Sequence, residues 1–429
     1  MSKKIVVLLF IVIGILQSCN TTEPPLTEKT ITLTLEDAAS IEAWIKLTTT
    51  NLQLPATVNL KQSASGGVTV TQDIILSYAD TVIYIDSLLP NTTYSFLAAI
   101  QPSNHTNEVK SNVLTVTTMD TTSHNFTWQT WTFGEHSSSV LYDVAIIDPD
   151  NIWAVGEIYM NDSLGNPDPT FYNAAHWDGQ KWELKRIFYK GGIWTIRTIF
   201  AFNENDIWFS AFVRYDGENF IELPIPNILI GWSINKLWGT SSNDLYIVGN
   251  NGNIAWYNGS RWTRIESGTD VNVNDVFGVT GQFNNQKKIF CAISNVFEVS
   301  DHKILTIDDN NKVDSLHWNT GRRVNSVWSN NGWVVYTSGG GVFNNKSGAW
   351  IEEKSIPLYY TNRIRGNALN DILVGGDFGL LAHFNGKSWN VYEEFLYAVS
   401  SLSVSVNSDI VSAVGRSGGK ALIIIGKRN

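Results

Sequence analysis

Cysteine is nearly absent from this sequence: 429 residues contain two, Cys19 and Cys291. No metal-ligand spacing and no Ser-His-Asp order stand out among seven scattered histidines, so neither a cofactor nor a metal is expected. Runs of lysine or arginine are missing too, and 40 acidic against 30 basic residues leave a formal charge of -10. That balance argues against nucleic acid as a partner. Long hydrophobic stretches are confined to the N-terminus, where Ile5 to Leu16 is too short to cross a bilayer as a mature helix.

What the sequence does have is repetition. Asp244 to Trp262, DLYIVGNNGNIAWYNGSRW, combines an Asn243-Asp244 turn signal, an apolar run Leu245 to Val248, a loop, and a second run Asn253 to Tyr257. That run ends at Asn258-Gly259, the pair that best supports a two-residue hairpin turn, and Trp262 opens a last strand. Asp150-Asn151-Ile152-Trp153 with His176-Trp177-Asp178-Gly179, Asn205-Asp206-Ile207-Trp208 with Tyr215-Asp216-Gly217, and Asn370-Asp371-Ile372-Leu373 with His383-Phe384-Asn385-Gly386 repeat it. Degenerate copies run through Ile289-Phe290-Cys291 with Val296-Phe297, and through Trp333-Val334-Val335 with Val342-Phe343. A seventh copy, Ser408-Asp409-Ile410-Val411 with Ala421 to Ile425, stops before any fourth strand. Starts spaced by roughly 38 to 55 residues fit four-stranded propeller blades stacked in a ring.

A ring that lacks a strand leaves an open sheet edge. Residues 126–133, FTWQTWTF, look like the fourth strands of the other copies and are expected to pair outside Ala421 to Ile425. Cys291, in an apolar strand, is expected to be a core residue, and tryptophans at repeated positions are expected to be packing residues.

At the N-terminus, Lys3-Lys4, the apolar run and Leu16-Gln17-Ser18-Cys19 have the layout of an export signal over residues 1–19. The ending resembles the bacterial lipobox, which implies lipid on the Cys19 thiol and a place on the cell envelope, periplasmic or surface. An ordinary signal peptide with an incidental cysteine is the alternative. Lipidation of Cys19 would leave Cys291 without a disulfide partner. Residues 20–28 read as a polar tether.

Residues 29–119 lack the repeat and read as a β-sandwich, with Trp44 placed to fill a core. Leu88-Leu89-Pro90-Asn91-Thr92-Thr93-Tyr94 resembles the fibronectin type III signature, in which the tyrosine packs a corner and bonds nearby backbone. The expected fold is therefore all-β: a fibronectin type III-like sandwich, then a seven-bladed β-propeller over 120–429, closed by its N-terminal outer strand. The Asp-Ile-Trp-Ala-Val-Gly and His-Trp-Asp-Gly motifs resemble repeats of exported bacterial propeller proteins, and more loosely the sialidase-like and photosystem-assembly propellers. A sialidase Asp box is not present in clean form.

Propeller topology puts the links between blades at one end of the ring, together with the loops between second and third strands. Just before first strands at that end come Trp194, Trp232, Tyr359 and Tyr397. Tyr142-Asp143, Arg197-Thr198, Asn235-Lys236, Asn274-Asp275, Asn325-Ser326, Asn362-Arg363 and Ser400-Ser401 follow, expected to rim the channel mouth. Trp194, Trp232, Tyr359, Tyr397, Arg197, Arg363, Asp143 and Asp275 are the ligand-binding candidates, because aromatic faces stack on sugars and guanidinium or carboxylate groups fix polar ligands. The plainer alternative is that the aromatics seal blade ends while Asn and Ser cap the crossovers.

Glu157 to Tyr172 is an insertion at the same end, with Asp162 and Asp168 as a weak calcium pair. The expected function is a membrane-anchored, non-catalytic, monomeric binding or scaffold protein for a glycan or an envelope protein. The alternative is a polysaccharide-acting enzyme, a glycoside hydrolase or lyase at the same face, for which Asp143 and Asp275 would face each other across the mouth.

Overall fold

The computed structural model describes residues 28–64, 67–100, 108–280, 286–295 and 301–429. The leader with Cys19, nearly all of the tether and Val296-Phe297 lie outside the described residues. Seven four-stranded antiparallel sheets follow one another along the chain from Val140. Their innermost strands are Val140–Asp148, Ile199–Asn203, Ile234–Ser241, Val273–Thr280, Val324–Ser329, Thr361–Ala368 and Ser400–Val406. Blade four takes its third and fourth strands from Lys303–Ile307 and Val313–Leu316.

The seventh sheet is completed from upstream, with Phe126–Phe133 antiparallel to Lys420–Arg428 and in register from Ala421 opposite Phe133 to Arg428 opposite Phe126. The first strand after the linker thus covers the edge of Lys420–Arg428 and supplies the fourth, outermost strand of that blade. Cys291 is fully buried in the core between blades three and four.

The aspartate of the Asn-Asp repeat does more than turn the chain. In blade three Asp244 accepts the indole N–H of Trp256 at 2.6 Å and pairs with Lys287 of blade four, also at 2.6 Å. In blade six Asp371 takes His383 at 3.0 Å and also Arg428 of blade seven. One carboxylate thus ties second strand to third and one blade to the next.

The described residues of 30–117 form two packed sheets around Leu33, Ile45, Leu47, Val58, Leu60 and Phe96. The Tyr94 hydroxyl accepts the backbone N–H of Leu89 at 2.8 Å. Trp44 is not part of that core. Ala43, Ile45 and Leu47 point inward, so period-two alternation turns Trp44 to the opposite face. There it packs with Tyr336, Ile364 and Phe384 of blades five and six, and its indole N–H donates to Lys346 O at 2.9 Å.

Around this tryptophan the two domains are closely docked. Lys346 pairs with Glu42 at 2.7 Å, and Asn331 donates to Asp37 at 2.6 Å. Gly386 has φ +93°, and Ser40 Oγ lies 2.2 Å from where a Cβ would stand, so the hairpin turn must be glycine for the sandwich to approach. The linker is held as well: Thr122 N–H donates to Asn385 O at 3.1 Å, and His124 Nδ1 meets His383 Nδ1 at 2.9 Å. Asp371 fixes the proton of His383 on Nε2, leaving Nδ1 to accept from His124.

That histidine contact makes the docked linker acid-sensitive. Burial, then the neighbouring His383 ring, brings His124 down from 6.5 to about 4, and burial also lowers His383. A depressed histidine pKa means that the unfolded chain takes up protons first. The stabilisation is therefore complete above about pH 6.5 and declines as the pH falls from 6.5 toward 4. Urea unfolding at pH 7.5, 6 and 5 is expected to show this decline, with a shallower slope in His124→Gln; equal slopes would remove the pair from the account.

Candidate functional site

Six of the seven innermost strands shift register by one residue at the same level, as between Leu141 and Asp143 and between Ile234 and Lys236. A bulge re-aims the side chain that follows it. Asp143, Thr198, Lys236, Asp275, Ser326, Arg363 and Ser403, one from each blade, form a polar layer in which none is more than 9% exposed.

Two carboxylates organise this layer. Asp143 accepts from Thr198 Oγ1 at 2.8 Å, Ile199 N–H at 3.1 Å, Lys236 Nζ at 2.5 Å and Ser403 Oγ at 2.7 Å. Asp275 is gripped by both Nη atoms of Arg365 at 2.8 and 2.7 Å, with Ser326 Oγ at 2.5 Å, Val327 N–H at 3.1 Å and Arg363 Nη1 at 2.6 Å. Burial alone would raise the Asp275 pKa, but Arg363 and Arg365 outweigh it and hold the carboxyl well below its usual range. Lys236 is brought down by burial to about 8 against the pull of Asp143, so it remains a cation at neutral pH.

Asp143, Asp275 and Arg363 therefore do not rim the mouth; they plug the channel. In blade seven the member of the layer is Ser403, two residues beyond the Ser400-Ser401 pair. The preceding asparagines clip blades together instead of facing a ligand: Asn235 donates to Val273 O at 2.9 Å, Asn325 to Asn362 O at 2.8 Å and Asn362 to Ser401 O at 3.0 Å. Arg365 escaped notice in the sequence although it lies two residues beyond Arg363, on the same face of the strand.

Above the plug, at the end where blades are linked, a cleft of ≈ 710 Å³ opens between blades six, seven and one. Tyr142, Glu157, Asp377, Phe378, Tyr397 and Arg416 line it. Glu157 is occupied by Thr195 at 2.5 Å and Tyr159 at 3.1 Å, and Asp377 by Asn362 at 3.2 Å and Ser400 at 3.0 Å.

Tyr359 and Tyr397 come together, hydroxyl to hydroxyl at 2.8 Å, with Phe378 5.4 Å from the Tyr359 ring. Phe378 and Tyr397 are 59% and 75% exposed, and both adopt left-handed backbone, φ 55° and 63°. For bulky residues that conformation costs about 1–3 kcal/mol each and gathers at functional sites. The Tyr397 N–H donates to Phe378 O at 2.7 Å, which locks the two strained residues together. Phe378 carries no repeat signature; it occupies the loop that holds Asn250 to Gly252 in blade three.

The remaining candidates are spread along other blade links. Trp194 is 60% exposed, Trp232 is half-buried under Arg264, and Arg197 is exposed over the Tyr142 ring at 4.9 Å. In the insertion, Asp162 caps the backbone of Leu164 and Asn166, and Asp168 pairs with Arg186 at 2.5 Å. Among the described residues no group of His, Cys, Asp or Glu could hold a metal ion.

No protein-family model matches the chain, and no curated protein matches it. Among solved structures it is similar to the one described as YCF48 bound to D1 peptide, at 13% identity and a TM-score of 0.51, over 70% of this chain and 97% of that one. The WD40 domain of Pan2 from Neurospora crassa matches at 10% identity and a TM-score of 0.32, over 70% of this chain and 96% of that one. The first likeness carries the propeller fold.

Removing one carboxylate of the plug leaves buried guanidinium groups without a partner. Asp275→Ala is expected to destabilise the propeller by about 3–5 kcal/mol, read as a lower urea midpoint by tryptophan fluorescence. An unchanged midpoint would show that the layer does not hold the ring.

Proposed function

We propose that this chain is a non-catalytic binding protein, carried on the cell envelope by lipid on Cys19, whose propeller takes a peptide segment of a protein partner across Tyr359, Phe378 and Tyr397. The observation that carries the reading is the strained aromatic pair beside the cleft above a closed channel. Exposed apolar surface supports it. Leu164, Phe188, Trp194, Ile228, Ile230, Leu358, Phe378 and Tyr397 lie in blade links or loops at this end, whereas Trp333 is on the opposite end and Ile221 and Ile351 are on outer strands. Apolar surface concentrated on one face is how proteins mark an interaction site. The other end is partly covered by the sandwich.

Strand Thr30–Ala38 is about 30 Å long, and its Ala38 end is the one next to the propeller contacts. In this reading the fibronectin-like domain is a spacer that holds the propeller off the membrane. YCF48, of similar fold, has been solved with a peptide bound.

The sugar-hydrolysing alternative requires two available carboxylates about 5–9.5 Å apart. Asp143 and Asp275 are each filled by cations and hydroxyl donors, so they do not supply an acid and a base. A random-peptide display screen on the chain beginning after Cys19 tests the proposal. Binders are expected that lose at least tenfold in affinity to a Phe378→Ala, Tyr397→Ala double variant, while the double variant unfolds at the parent's temperature or above. Binders that keep their affinity for the double variant would rule this site out. In cells, Cys19→Ala is expected to move the protein from the membrane fraction to the soluble fraction.

A further inference from the structure

The plug has a second side, facing the end where the Asn-Asp turns lie. Beyond it the channel holds a cavity of ≈ 200 Å³. Its walls are part apolar and part polar: Ile199, Phe200, Trp238 and Phe277 supply apolar surface, and its charged lining consists of Lys236 and Arg365 with no carboxylate. This follows from strand alternation: Phe200, Trp238, Phe277 and Arg365 stand two residues beyond Thr198, Lys236, Asp275 and Arg363, on the same channel-facing side.

The charge count of the plug points the same way. Lys236, Arg363 and Arg365 give +3 and Asp143 and Asp275 give -2, so one positive charge is left over in a nearly dry layer. The pairing is specific: Lys236 serves Asp143, and Arg365 grips both oxygens of Asp275. Arg363 shares Asp275 with Arg365 through Nη1 at 2.6 Å, and its Nε is buried without a hydrogen-bond acceptor. Lys236, 7% exposed, makes a single hydrogen bond among the described residues, to Asp143, although an ammonium has three donors. An uncompensated buried charge is costly, and an anion at the cationic wall of the cavity would balance it.

We propose that this cavity is a binding site for a small monocarboxylate with an apolar body. Its carboxylate sits on Lys236 and Arg365, and its body lies against Phe277 and Trp238. An apolar cavity of about 150 Å³ suffices for benzene, so this one holds a chain or ring of similar or slightly larger size. The site is separate from the cleft on the other side of the plug, and it stands whether or not that cleft binds a peptide.

Hexanoate is the probe, added to the whole chain at neutral pH and constant ionic strength, with hexanol and chloride as controls. Binding of about millimolar strength or tighter suits eight non-hydrogen atoms. The melting temperature is expected to rise with hexanoate concentration and not with hexanol or chloride. The rise is expected to vanish in Ser405→Phe, which fills the cavity from blade seven without touching the plug charges. No rise, an equal rise with either control, or a rise that persists in folded Ser405→Phe would overturn the proposal. Should that variant not fold, crystals of the parent soaked in 6-bromohexanoate decide it: an anomalous bromine peak is expected beside Phe277, and its absence there overturns the site.

Discussion

A ring of sheets holds together only by what passes between blades, and in this chain much of it passes through two carboxylates. Asp143 in blade one gathers donors from blades two, three and seven. Asp275 in blade four gathers them from blades five and six. The join between last blade and first is therefore bonded twice, by the Asp143 to Ser403 contact at the axis and by Phe126–Phe133 along the outer edge. Buried ion pairs seldom add stability over a hydrophobic core of the same shape. What they supply here is directionality, because each donor reaches its carboxylate only when the bulged strands have the correct register.

The architecture was legible because repeats expose it. Asn-Asp turns, Asn-Gly hairpins and spaced tryptophans fix blade number, and the missing fourth strand of the last copy pointed to the segment that replaces it. The interior of the channel was less legible. Tyr142-Asp143 and Asn362-Arg363 were found as positions, yet a one-residue bulge decides whether a side chain faces a mouth or a neighbouring blade, and no residue type announces a bulge. Blade seven shows the effect, where the member of the layer is Ser403 and not Ser401. Phe378 was invisible for a related reason: strain is a property of φ, and its loop breaks the repeat.

Trp44 shows how local alternation can outweigh composition. A large aromatic in a small β-domain reads as core, but Ile45 and Leu47 already claim the inner face. The tryptophan is left outside, and exposure of that much apolar surface is relieved by docking on blades five and six. Thr122 and His124 then extend the contact along the linker, so that the short connection behaves as part of the interface and not as a hinge.

These constraints together account for where binding is possible. The plug closes the channel, so no ligand threads it, and each end becomes a separate basin. At the linked end the blade connections vary in length, and variation is where aromatic residues off the repeat accumulate, as at Phe378 and Tyr397. On the other side of the plug the repeat is strict and the turns are short, so recognition there depends on what the innermost strands point into the channel. Both basins rest on the same layer of charge. Three cations, Lys236, Arg363 and Arg365, share the two carboxylates Asp143 and Asp275, so the layer between the two cavities carries a net positive charge.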